Sequence, residues 1–198
     1  MNINLRHSAL VVAGVAALSL GVAACGSSDS SSTDSTASTP QKLALTGEST
    51  TLVLDPATAK VLTQNKVSVA PVAPATAEGG GIAFPITGGA VDPNTLAGRI
   101  THSGGLEFAA GGTKVKLTNF VVNTVAGTLT STVGGAKLLT LDLDLSGLKK
   151  STQNGVIVAS GVTAALTAPA AKALNAAFGV SIFTKGLAIG TVTIRATG

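Results

Sequence analysis

The chain has 198 residues, 45% apolar and only 11% charged, with 24 Gly, one Cys, no Trp, no Tyr and a net charge of +4. Charges this sparse, scattered and not interleaved with aromatics, exclude a nucleic-acid surface, which needs a basic footprint and stacking platforms. One cysteine excludes an internal disulfide, and two histidines in all are too few for a zinc site.

Arg6 and His7 precede an apolar run from Ala9 to Ala24 that ends in small residues before Cys25. A basic start, a short apolar run and a small-residue cleavage site are the parts of a secretory signal, here residues 1–24. The run is short for a membrane-spanning helix, which takes about 20 apolar residues. Val22-Ala23-Ala24-Cys25 resembles the lipobox of bacterial lipoproteins. That resemblance implies a diacylglyceryl group on the Cys25 thiol, cleavage before it, and a protein held by lipid on the outer side of the cell membrane. Acyl chains bind membranes through buried methylenes, and two chains anchor far more firmly than one. Residues 26–40 are almost all Ser, Thr, Asp, Ala and Gly. Such a segment buries too little apolar surface to offset the entropy of ordering, and its r.m.s. reach is about 20 Å. The expected organisation is a signal (1–24), a lipidated Cys25 with a flexible linker (25–40), and one domain (41–198).

In the domain, Thr50 to Leu54 reads as a strand, and Asp55-Pro56 starts a helix, with a capping side chain and Pro at the first helical position. A second strand–helix unit ends a strand near Leu166 and runs a helix from Pro169 to Phe178, closed by Gly179. "LDPATAKVL" aligns with "LTAPAAKAL", which fits a duplicated fold and fits convergence on one local recipe equally well. Between them lie short Val/Thr-rich pieces separated by Gly-Gly pairs at 88–89, 104–105, 111–112 and 134–135, read as hairpin turns. Leu139, Leu141, Leu143 and Leu145 alternate with Thr140, Asp142 and Asp144, which predicts one apolar and one solvated face. The expected fold is mainly β: an antiparallel sandwich or partly open barrel with two short helices.

Catalytic chemistry finds little support. A triad needs a nucleophile, an imidazole and an acid, and the mature chain has only His102, whose neighbour Ser103 points to the opposite strand face. There is no G-x-S-x-G elbow, no P-loop and no dinucleotide fingerprint. Asp142 and Asp144 share a face but supply too few oxygens for calcium, and Asp92 reads as a turn cap. The chain is read as a non-enzyme with no metal site and no nucleic-acid partner.

"RITHSGGLEF", Arg99 to Phe108, followed by "VKLTNFVV", resembles the strand–turn–strand of the haem-transport-associated (HtaA) domain of actinobacterial surface proteins. The closing segment "ALTAPAAKALNAAFGVSIFTKGLAIGTVTI" is similar to that family's last helix and strand. The resemblance covers about half of the domain. It implies an HtaA-like fold and a haem ligand, with iron held by a tyrosine and a histidine supporting it. This chain has no tyrosine, and His102 matches the supporting histidine. The function expected first is therefore a tethered, extracytoplasmic, non-enzymatic binding or surface module without a fixed cofactor. A small apolar ligand would sit near His102 among Phe84, Phe108, Phe120 and Phe178, residues that serve equally well as ordinary core together with Phe183. One alternative is haem binding with His102 in place of the tyrosine. Another is a structural or adhesive envelope protein that contacts wall polymer.

Overall fold

A computed structural model describes residues 41–198. The signal, Cys25 and the linker lie outside the described residues. Strands β1 (Leu43–Ala44) and β2 (Gly47–Leu54) lead into helix α1 (Pro56–Gln64), followed by β3 (Ser68–Val72), β4 (Thr76–Glu78) and β5 (Gly81–Val91). Next come β6 (Gly98–His102), β7 (Gly105–Ala110), β8 (Thr113–Asn123), β9 (Thr128–Val133) and β10 (Ala136–Asp144). The chain closes with β11 (Lys149–Gln153), β12 (Val156–Leu166), helix α2 (Ala168–Phe178) and β13 (Ala188–Thr197).

Eight strands pair into a closed antiparallel barrel in the order β2, β13, β12, β10, β9, β8, β6, β5 and back to β2. The architecture is mainly β with two helices, as expected, and of the two forms anticipated it is the barrel, fully closed. Closure depends on β8 serving two partners along one edge. Its first half pairs with β7 and its last residues, Val121–Asn123, pair with β6. Strand β12 does the same with β11 and β10. A closed ring leaves no row of unpaired wall hydrogen bonds, so it needs no charged or covered edge there.

Both helices begin where the sequence put them. Asp55 Oδ1 accepts the Thr58 N–H at 3.0 Å with Pro56 behind it, and the Thr167 hydroxyl accepts the Ala170 N–H at 3.3 Å. Gly179, at φ 65°, ends α2 in the left-handed conformation that a side chain resists. The two strand–helix units lie on either side of β13. The start of β13 and the residue before it accept from both, through Asp55 N–H to Ile189 O and Leu166 N–H to Leu187 O, each 2.9 Å. Asn175 then ties down the segment after α2 by bonding both the N–H and the C=O of Phe183, at 3.0 and 2.7 Å.

Three local readings change. Gly88-Gly89 is not a turn but lies inside β5, where a Cβ on Gly89 would meet the Arg99 carbonyl across the pair with β6. Gly104-Gly105 is the crossing at which the chain leaves β6 for β7 on the same edge of β8. The pairs at 111–112 and 134–135 are two-residue hairpin turns, both residues at positive φ, as read. The third change is in β10. A bulge between Leu139 and Leu141 turns Thr140 inward and Leu139 outward, 38% exposed. Thr140 is buried because its hydroxyl bonds Ser131 at 2.6 Å. From Leu141 onward the predicted alternation holds.

The barrel interior is packed around Phe84 and Phe120, edge to face with centroids 5.1 Å apart. Leu174 of α2 plugs one end, and Leu45, Leu96 and Leu148 fill the other. The same core continues where β7 and β8 pass the segment after α2, with a second group of rings in which Phe108 is edge-on to Phe183 and Phe178 lies beside it.

Candidate functional site

Along β6 the residues alternate inward and outward, and His102 falls on an inward position, 6% exposed. Thr50 on β2 also points inward. Both strands flank β5, so the two side chains meet inside the barrel across that strand. The Thr50 hydroxyl lies 2.7 Å from His102 Nε2, and His102 Nδ1 lies 3.2 Å from the Phe120 carbonyl oxygen. That carbonyl is available because a register shift between Thr118 and Val121 takes Phe120 out of the ladder with β9.

This geometry assigns the protons. A carbonyl only accepts, so Nδ1 carries the hydrogen and Nε2 accepts from the Thr50 hydroxyl. Burial disfavours the imidazolium and pushes the His102 pKa down to about 4, with the Phe120 carbonyl opposing the shift. At neutral pH His102 is an uncharged ring with both nitrogens bonded. It has no free lone pair for a metal and no proton to exchange with a substrate.

Beside it lies a cavity of about 50 Å³ whose exposed lining is entirely carbon. Phe84, Phe108, Phe120 and His102 all border it, together with Leu52 and Leu117. Four of the five residues named from the sequence therefore come together. Phe178 does not: it is half-buried and packs on Phe183 outside this lining. A void of this size admits a few heavy atoms; an apolar cavity of about 150 Å³ is the size that takes benzene.

The partner that sequence reasoning missed is Thr50. The available signal was its place in "TTLVL", where a period of two puts it on the same face as Leu52. Its link to a histidine 52 residues away is not a local property.

The remaining polar candidates are structural. Asp92 accepts the N–H groups of Asn94 and Thr95 at 2.7 and 2.9 Å, which holds its carboxyl below the usual range. Asp142 and Asp144 face solvent, and Asp144 accepts the Ser146 N–H at 2.8 Å. Among the described residues no three His, Cys, Asp or Glu gather as metal ligands, and no helix is long and apolar enough to cross a membrane.

Comparison with family models and with curated proteins finds no match. Solved structures do match. The chain is similar to the C-terminal domain of HtaA from Corynebacterium glutamicum with a TM-score of 0.56 at 17% identity, covering 78% of this chain and 98% of that one. It is similar to the N-terminal domain of the same protein at TM-score 0.50 and 17% identity, covering 77% and 98%. A histidine-to-alanine variant of the C-terminal domain, a domain-swapped dimer, matches at 0.50 and 18%, covering 72% and 91%. At these identities the likeness is one of fold, and the fold is that of an HtaA domain.

Proposed function

We propose that this chain is a lipid-anchored extracytoplasmic protein, tethered through Cys25, whose folded part is a non-enzymatic binding module. The observation that carries the binding reading is the carbon-lined cavity walled by Phe84, Phe108 and Phe120 inside a closed barrel. Its dimensions select an apolar molecule of a few heavy atoms, and its walls offer such a molecule dispersion contacts without stripping water from polar groups. His102 forms one uncharged wall of the site and braces β6 against β2 and β8. It performs no proton transfer.

Haem is the alternative that the family resemblance brings with it. The residues of this site do not fit an iron ligand. His102 is buried and bonded at both nitrogens, and the chain contains no tyrosine. Iron at Nε2 would have to displace the Thr50 hydroxyl inside the barrel, across β5. The third reading, an adhesive or structural envelope protein, needs no interior ligand at all.

Xenon under pressure, followed by NMR of the folded domain, tests the cavity. Saturable perturbation of the methyl groups of Leu52 and Leu117 is expected. If only surface methyls respond, the interior does not take apolar guests and the reading falls to the adhesive alternative.

A further inference from the structure

The cavity beside His102 has a neighbour inside the barrel. A second void of about 20 Å³, its exposed lining also entirely carbon, lies toward the opposite end, under Leu96 and Leu148. Three residues border both voids: Thr124, Leu145 and Ile194. The two spaces therefore follow one another along the barrel, the larger toward α2, with those side chains between them.

The three dividers are not alike. The Thr124 hydroxyl donates to the Leu96 carbonyl at 2.6 Å and accepts the Gly98 N–H at 2.8 Å, which leaves its methyl to the voids. Ile194 lies within β13, paired on both sides, to Thr50 and to Ala159, and its branched Cβ stiffens it further. Leu145 follows the last residue of β10, is only half-buried and has no branch at Cβ. It is the divider free to turn aside, and when it does the two voids join into one narrow space.

Two short segments close the barrel over the second void. The loop Asp92–Ala97, between β5 and β6, supplies Leu96, 7% exposed and held at φ 60°, a conformation that a bulky side chain adopts only under constraint. The turn Leu145–Leu148, between β10 and β11, supplies Leu145 and Leu148. Lys150 bridges them: its ammonium donates to the Pro93 and Asn94 carbonyls of the loop at 2.6 and 3.1 Å. Among the described residues no other hydrogen bond joins that loop to residues 145–150. The α2 end is held more firmly. Asn175 bonds both backbone groups of Phe183 there, and the Thr167 hydroxyl donates to the Leu139 carbonyl at 2.6 Å.

From this arrangement we infer that the two voids form one rod-shaped site for a short unbranched alkyl chain. The chain enters between the Leu96 loop and the Leu145–Leu148 turn, with Leu145 as the inner gate and Lys150 as the outer clasp. The inference rests on the binding reading above and names the shape of guest that the site takes. A straight chain that moves Leu145 aside touches carbon in both voids. A ball-shaped isomer meets Ile194 and gains contacts in one void at most.

n-Pentane and neopentane hold the same atoms as a rod and a ball, and they are the probes, with xenon as reference. The full chain in neutral detergent is equilibrated with each gas or vapour at fixed partial pressure, which sets the guest's activity whatever the detergent absorbs. Methyl NMR reads occupancy and exchange. n-Pentane is expected to shift the methyls of Leu52 and Leu117 together with those of Leu96 and Leu148, saturably, and neopentane to leave the second pair unmoved. Leu145→Ala should bind n-pentane roughly fivefold more tightly, because the guest no longer forces a side chain from its rotamer. Lys150→Met should speed exchange at least about threefold while affinity stays within about twofold, since the clasp is lost from the empty and the loaded barrel alike. Lys149→Met, one residue earlier on β11, should change neither.

Equal responses to the two isomers, n-pentane shifts confined to Leu52 and Leu117, or an unchanged affinity in Leu145→Ala would overturn the rod-shaped site. An exchange rate unmoved by Lys150→Met would overturn the entrance. In each case xenon still perturbs Leu52 and Leu117 and the cavity reading stands. Silence from xenon as well sinks that reading itself.

Discussion

Between pH 7 and pH 4 the folded domain is expected to lose about 3 kcal/mol of stability through His102. Its pKa in the folded chain is about 4, against 6.5 in an exposed chain. A group whose folded pKa is depressed binds more protons unfolded than folded in the window between the two values. Stability from this group is therefore complete above pH 6.5 and drains away as pH falls to 4, at about 1.4 kcal/mol per pH unit. Asp92, Glu107 and Asp144 also have lowered pKa values, but their window lies near and below the usual carboxylate range, under most of the histidine's. Urea unfolding at pH 7, 5.5 and 4.5, with His102→Gln alongside, separates the two. The wild-type chain should show the steep slope and the variant should be nearly flat over that range. Equal slopes would mean that the ring is not desolvated in the folded state.

Phe120→Ala should destabilise the domain by about 3–5 kcal/mol, the usual range for deleting a core ring. Phe120 is 4% exposed and edge-on to Phe84, so its removal enlarges a cavity that already exists and leaves Phe84 without its partner. The surrounding wall is a closed hydrogen-bonded ring, which cannot collapse far to refill the void. Phe178→Ala removes the same atoms from a half-buried position on α2 and should cost clearly less, about 1–2 kcal/mol by the area it covers. Denaturant midpoints of the two variants give the comparison. Similar losses would show that the two aromatic clusters carry equal weight and that the barrel interior is not the centre of the fold.

What was legible in the sequence was what a few neighbouring residues decide. Asp55-Pro56 started α1, Gly179 ended α2, and Gly111-Gly112 and Gly134-Gly135 turned hairpins, because capping and positive φ are local matters. The period of two placed Leu141, Leu143 and the outward aspartates correctly. It failed at Leu139, since one inserted residue, Thr140, reverses every position before it, and the cause is a hydrogen bond to Ser131 on another strand. The choice of barrel over sandwich was beyond local pattern for a similar reason. It depends on β8 and β12 each dividing one edge between two partners, and nothing in their composition marks where the division falls. Gly88-Gly89 misled because glycine serves a close strand approach as readily as a turn. At the site, the residues around His102 were drawn together by their motif and apolar character. Thr50 escaped because a threonine in a strand is the least conspicuous of residues.

In the proposed reading, His102 is a bonded wall residue of an HtaA-like barrel and not an iron ligand. Titration of the domain, residues 41–198, with haemin, followed in the Soret region with His102→Ala in parallel, tests this most directly. The expected result is no saturable Soret shift, or a weak one that the substitution leaves unchanged. A saturable shift in the wild-type chain that disappears in His102→Ala would mean that the Thr50 contact opens to admit iron, and would contradict the assignment of this site to small apolar guests.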